Sequence, residues 1–152
     1  MAIQIGDKAP DFSLPTQTGE TVTLSSFVGK QPVVVYFYPK DDTPGCTLEA
    51  CGFRDSYGDF AAAGAVVIGI SADSVESHQR FGAKHNLPFL LVSDAKNEAR
   101  KAFGVSNELF VLPGRVTYVI DREGVVRHIF NSMLNAKGHV EEALKTVRAI
   151  AA

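Results

Sequence analysis

A chain of 152 residues with 45% hydrophobic side chains can bury one full core, since a domain of this size hides roughly two-thirds of its unfolded surface. Lys and Arg number 15 and Asp and Glu 17, a formal charge of −2, so no global field draws in nucleic acid or an anionic membrane. The N-terminus lacks a basic stretch followed by an apolar one, and the longest apolar run, Phe60 to Ile70, falls short of the ~20 residues that span a bilayer; a soluble cytoplasmic protein is expected.

No charge block, repeat or proline-rich tract divides the sequence, so residues 1–152 are expected to form one domain. Val33 to Tyr38 is a β-branched and aromatic run between Pro32 and Pro39, which suits a central strand covered on both faces. Thr43 to about Ala62 reads as a helix, and Ala65 to Ser71 as a second strand, giving a right-handed βαβ unit with parallel strands. Ser74 to His85 and Lys96 to Phe103 follow as helices around a short strand, Phe89 to Val92. Arg115 to Ile120 and Val125 to Phe130 make a hairpin across Asp121-Arg122-Glu123-Gly124. From Lys137 onward, Val140, Ala143, Leu144, Val147 and Ile150 recur at helical spacing. The expected fold class is α/β, a central mixed β-sheet flanked by helices on both faces.

Chemistry concentrates in the segment from Pro39 to Cys51, directly after the strongest strand, where loops of open α/β sheets converge on ligands. Thr43 followed by Pro44 is a helix start, with the hydroxyl expected to cap free amides and proline at the first position, so Cys46 falls at the third. There the helix dipole and first-turn N–H groups favour thiolate over thiol. Asp41, Asp42 and Glu49 oppose a negative sulfur, so a nearby cation is expected, with Lys40 and Arg115 as candidates. Cys51 lies five residues on, about 8.6 Å away between Cα atoms in an intact helix, beyond the ~7 Å limit for a disulfide. Joining the two requires the helix to unwind locally, which Gly45 and Gly52 make easier.

These residues resemble the peroxiredoxins, and within them the bacterioferritin comigratory protein or peroxiredoxin Q group. The matching pieces are Gly6 to Phe12, Val35 to Pro39, the Pro-x-x-x-Thr-x-x-Cys run ending at Cys46, and the stretch from Pro113-Gly114-Arg115 to Asp121. The resemblance implies a thioredoxin-like fold, a hydroperoxide substrate and no cofactor. It makes Cys46 the peroxidatic cysteine and Cys51 the resolving one, with Thr43 and Arg115 contacting sulfur and peroxide and Glu49 orienting Arg115; Pro39 is read as ending the strand and shaping the pocket. Relatives of this group are usually monomers recycled by thioredoxin or a similar dithiol.

Read without the resemblance, Arg115 at a strand end would be an exposed arginine, and Cys51 could be a core residue on the inner face of its helix. A thioredoxin-type disulfide oxidoreductase would also use a helix-start cysteine, but its Cys-x-x-Cys spacing is missing; a zinc module lacks paired ligands. His78, His85, His128 and His139 are scattered without ligand spacing and receive no role.

Overall fold

The computed structural model describes residues 3–105, 107, 108, 112, 113, 115–132 and 135–151. Near its N-terminus Ser13–Pro15 (β1) pairs antiparallel with Thr21–Thr23 (β2), and a 3-10 turn, Leu24–Phe27, follows. Neither was legible in the sequence, because three residues are too few to display a period. The expected central strand is Val33–Phe37 (β3).

The single helix expected from Thr43 to Ala62 is two, Pro44–Asp55 (α1) and Tyr57–Ala62 (α2). Ser56 between them has φ −98° and ψ 4°, in the sparsely allowed bridge region, and serine is a weak helix former. Its N–H still reaches the Gly52 carbonyl, so the chain bends rather than breaks, and Phe53 and Phe60 both stay fully buried.

Val66–Ser71 (β4), Val75–His85 (α3), Leu90–Ser93 (β5) and Glu98–Phe103 (α4) then alternate as the periodicity predicts. Ser74 caps α3 by accepting from the Ser77 N–H, and Asn86 ends it in the left-handed region. The short pair Asn107–Glu108 (β6) and Leu112–Pro113 (β7) precedes the expected hairpin, Val116–Ile120 (β8) and Val126–Asn131 (β9). Gly114, part of the family-like stretch before Arg115, lies outside the described residues. The last helix is Ala136–Ala151 (α5).

Five strands form one mixed sheet in the order β5-β4-β3-β8-β9, parallel from β3 to β5 and antiparallel at β8 and β9. Alternate residues of β3 serve two cores. Val33, Val35 and Phe37 pack with Phe12, Phe103 and Tyr118; Val34 and Tyr36 pack with Phe53, Phe60, Phe81 and Val147. One face is therefore covered by α1, α2, α3 and α5, and the other by α4 and the N-terminal segment, which places helices on both faces as expected. None of the described helices is long and apolar enough to cross a membrane.

Tyr36 depends on a specific absence. It pairs across the sheet with Gly69 of β4, and a Cβ built there would lie 2.7 Å from Tyr36 Cζ and 2.8 Å from its hydroxyl oxygen. The ring also stacks on Phe53 with centroids 4.6 Å apart, so it has little room to move. Gly69→Ala is expected to cost about 1–3 kcal/mol of stability through overpacking, measurable as a lower midpoint in urea unfolding with an unchanged slope.

Candidate active site

The loop after β3 delivers α1 to the carboxyl end of the parallel strands. Thr43 is extended (φ −92°, ψ 152°) and Pro44 holds the first helical position, so Cys46 stands at the third, as the spacing predicts. Thr43 does not cap with its side chain, however. Its hydroxyl donates instead to the Lys40 carbonyl at 2.9 Å, so any further bond it makes is as an acceptor. Pro39, half-buried, follows β3 after Tyr38.

The sulfur of Cys46 is buried at 1% exposure, and Arg115 Nη2 lies 3.3 Å from it. The same guanidinium places Nη1 2.6 Å from Glu49 Oε1. Sheet register explains how residues 69 positions apart meet. β8 runs antiparallel to β3 with Val116 opposite Phe37, so Arg115 arrives beside the carboxyl end of β3, on the face that carries α1. Gly45 admits it: a Cβ there would come within 3.0 Å of Nη2. Arg115 is 4% exposed rather than a surface arginine, and it, not exposed Lys40, is the cation at the sulfur.

Burial sets the protonation of this cluster. Glu49 is fully buried, which raises its carboxyl to about 8 although the charge and hydrogen bond of Arg115 pull the other way. Burial works against the charge on Arg115, but Glu49 and Cys46 outweigh it and keep the guanidinium protonated. The carboxyl expected to oppose a thiolate therefore opposes it less than a surface glutamate would.

Asp41 and Asp42, the other two carboxyls expected to oppose the sulfur, are drawn to α3. Asp41 accepts from the Tyr38 hydroxyl at 2.5 Å and the Ser77 hydroxyl at 2.8 Å, and lies 2.6 Å from His78 Nδ1, while His78 Nε2 donates to the Val92 carbonyl. Asp42 takes φ 62°, a left-handed conformation that costs on the order of 1 kcal/mol, and pairs with Lys84 at 3.0 Å. His78 thus fastens the loop in front of Cys46. His139 of α5 is equally buried, beside Thr117 and Glu49. Sequence reasoning gave neither histidine a role. A histidine alone has no period, and its partners come from elements that only folding assembles.

Cys51, partly exposed, lies in the same α1 as Cys46, and both cysteines are free thiols. It lines a groove of about 590 Å³ with Leu48, Gly52, Asn135 and Val140, and Leu48 is 69% exposed.

The pattern that defines the AhpC/TSA family matches residues 5–129. Peroxiredoxin Q of Sedum lineare is 53% identical over 146 residues, 95% of this chain and 78% of that protein. The chain belongs to the peroxiredoxins of the AhpC/TSA family. Arabidopsis thaliana peroxiredoxin Q is 52% identical across 95% of this peroxiredoxin and 67% of its own length. Among solved structures, peroxidoxin BcpB of Mycobacterium tuberculosis superposes with a TM-score of 0.90 at 40% identity, over 97% of this chain and 98% of that one. Xanthomonas campestris bacterioferritin comigratory protein, solved to explain its alkyl peroxide reduction, gives 0.86 at 35% identity over 93% and 92%. The fold is thioredoxin-like, and the protein is a thiol-dependent peroxidase, an oxidoreductase.

Replacing His78 by Leu leaves the Asp41 carboxyl buried without its nearest ring partner. The expected loss is about 3 kcal/mol, against a smaller loss for Asp41→Asn, which keeps an acceptor for Tyr38; urea unfolding of both variants checks the order.

Proposed function

We propose that Cys46 is the attacking sulfur and Cys51 its disulfide partner, in reduction of hydrogen peroxide and organic hydroperoxides. The observation that carries this is the Arg115 guanidinium 3.3 Å from a buried sulfur in the first turn of α1. That cation and the first-turn amides stabilise the negative charge the sulfur carries as it attacks. The thiolate attacks the terminal peroxide oxygen, the O–O bond breaks, and sulfur becomes sulfenic acid while the leaving oxygen departs as water or alcohol after taking a proton. Arg115 and the Cys46 amide offset charge on the peroxide oxygens, and the Thr43 hydroxyl accepts the peroxide O–H, a reading supported by its donation to Lys40, which leaves it only an acceptor's part.

Cys51 then condenses with the sulfenic acid, forming the S–S bond and releasing water. In intact α1 this pair is too far apart, so α1 opens locally between them and exposes the bridge. Thioredoxin or a similar dithiol reduces it by exchange. Residues 1–152 work as one domain, as a cytoplasmic monomer, in keeping with a site assembled within one chain.

Thiol counting after hydrogen peroxide tests the assignment. Wild type should lose both thiols, Cys46→Ser neither rapidly, and Cys51→Ser should hold a lasting sulfenic acid; rapid oxidation of Cys46→Ser would exchange the roles. Arg115→Gln should lower the second-order rate with peroxide by about 10²–10³ while leaving the resolving step intact, as stopped-flow kinetics would show.

A further inference from the structure

Glu49 has two carboxyl oxygens and the site so far uses one. Oε1 accepts from Arg115, whereas Oε2, fully buried, has no hydrogen-bond donor among the described residues. An ionised oxygen in that condition carries a large desolvation cost. His139 Nδ1 lies 3.5 Å from Oε2. His139 is 0% exposed, and its Nε2 lies 2.7 Å from the Ser132 carbonyl, which can only accept, so Nε2 carries a hydrogen and Nδ1 is the atom that titrates. Nδ1 also meets the Thr117 hydroxyl at 2.7 Å, and a hydroxyl can donate to a bare nitrogen or accept from a protonated one.

We propose that in the reduced enzyme Glu49 and His139 jointly hold one proton, shared between Oε2 and Nδ1, so that the pair is neutral and Arg115 keeps its charge for the Cys46 sulfur. Whether the proton sits on oxygen or on nitrogen, the pair's net charge is zero. Removing it makes the pair an anion pressed against Arg115, which offsets the guanidinium and repels the thiolate. His139 is thus a positioning residue: it touches no reacting atom and acts through Glu49 and Arg115. This rests on Cys46 being the attacking sulfur.

The surroundings favour the protonated pair. Burial holds Glu49 up at about 8 and brings His139 down to about 4, which puts the proton on the Glu49 side. For His139 the hydrogen bond to Ser132 works the other way and the charge of Arg115 reinforces burial. The other titratable groups facing the pair are Cys46 from α1, Arg115 at the start of β8 and Tyr36 from β3. Tyr36 stays a neutral phenol, raised by burial and then by Glu49 and Cys46. From β9 comes the ring of Phe130, edge-on to His139 at 4.7 Å between centroids, which adds no charge.

The test reads the proton before any peroxide is added, so its failure is separable from a wrong choice of sulfur. At neutral pH the reduced wild type should show either the infrared C=O stretch of a buried carboxylic acid that Glu49→Gln lacks, or an Nδ1-protonated His139 ring by nitrogen NMR. A Glu49 carboxylate beside a bare Nδ1 overturns the proposal. Rates with hydrogen peroxide give the second readout. The wild-type rate should fall above about pH 8 as the pair loses its proton, and Glu49→Gln, which cannot ionise, should lack that alkaline fall. His139→Gln keeps a donor for Ser132 but offers Oε2 no basic nitrogen, so its fall should begin about one pH unit lower, roughly a five-fold lower rate near pH 8. His139→Asn, with its amide at the Nδ1 position, should recover part of this. An alkaline fall unmoved in His139→Gln also overturns the proposal, and if that variant does not fold the spectra of the wild type decide.

Discussion

A single guanidinium taken out of water organises the active end of this molecule. Arg115 is 4% exposed, and a buried cation is tolerated only where its donors all find partners; here it holds the Cys46 sulfur with one nitrogen and Glu49 with another. The two partners sit three residues apart, on one face of α1, where the helical period brings them to the same side. The arginine reaches them because β8 is antiparallel to β3 in a register that starts it beside the loop carrying α1. Helix period, strand register and a glycine at position 45 must agree within tenths of an ångström for one contact to form.

The cysteine helix has to satisfy opposed demands. Intact, it presents sulfur to the positive end of its dipole and packs against α5, where Gly52 lies close enough to Val140 that a Cβ would come within 3.0 Å. In the proposed cycle it must also open, because five residues of helix hold the two sulfurs apart. The groove beside Cys51, with Leu48 exposed at its edge, borders the stretch of α1 that the proposed cycle opens. Ala50 gives up its packing in that opening, while Phe53 holds the following turn in the core beneath.

The loop in front of α1 is fixed from the other side. Asp41 binds Tyr38, Ser77 and His78, and its own N–H donates to Asp73 at 2.7 Å. That web spans β3, α3 and the turn after β4, so the opening of α1 need not disturb the loop that aims Thr43. Two acidic residues that look from the sequence like a hindrance to a thiolate are tied instead to a histidine and a lysine of the neighbouring helix.

The sequence by itself determined the strands with continuous β-branched runs, the amphipathic α5, the place of Cys46 at the third position of its helix and the five-residue obstacle to a disulfide. These follow from periods and short-range geometry, which a chain displays before it folds. Family resemblance pointed to Arg115 as the residue at the sulfur, against the ordinary preference of arginine for water. Only the tertiary structure decided the rest: that Thr43 turns its hydroxyl to Lys40 rather than to the helix amides, that the long helix bends at Ser56, that Asp41 and Asp42 belong to α3, and that His78 and His139 are built into the buried polar network. Each depends on atoms from elements far apart in the chain, whose approach is set by sheet register and desolvation, and neither quantity exists in a sequence until the core has closed.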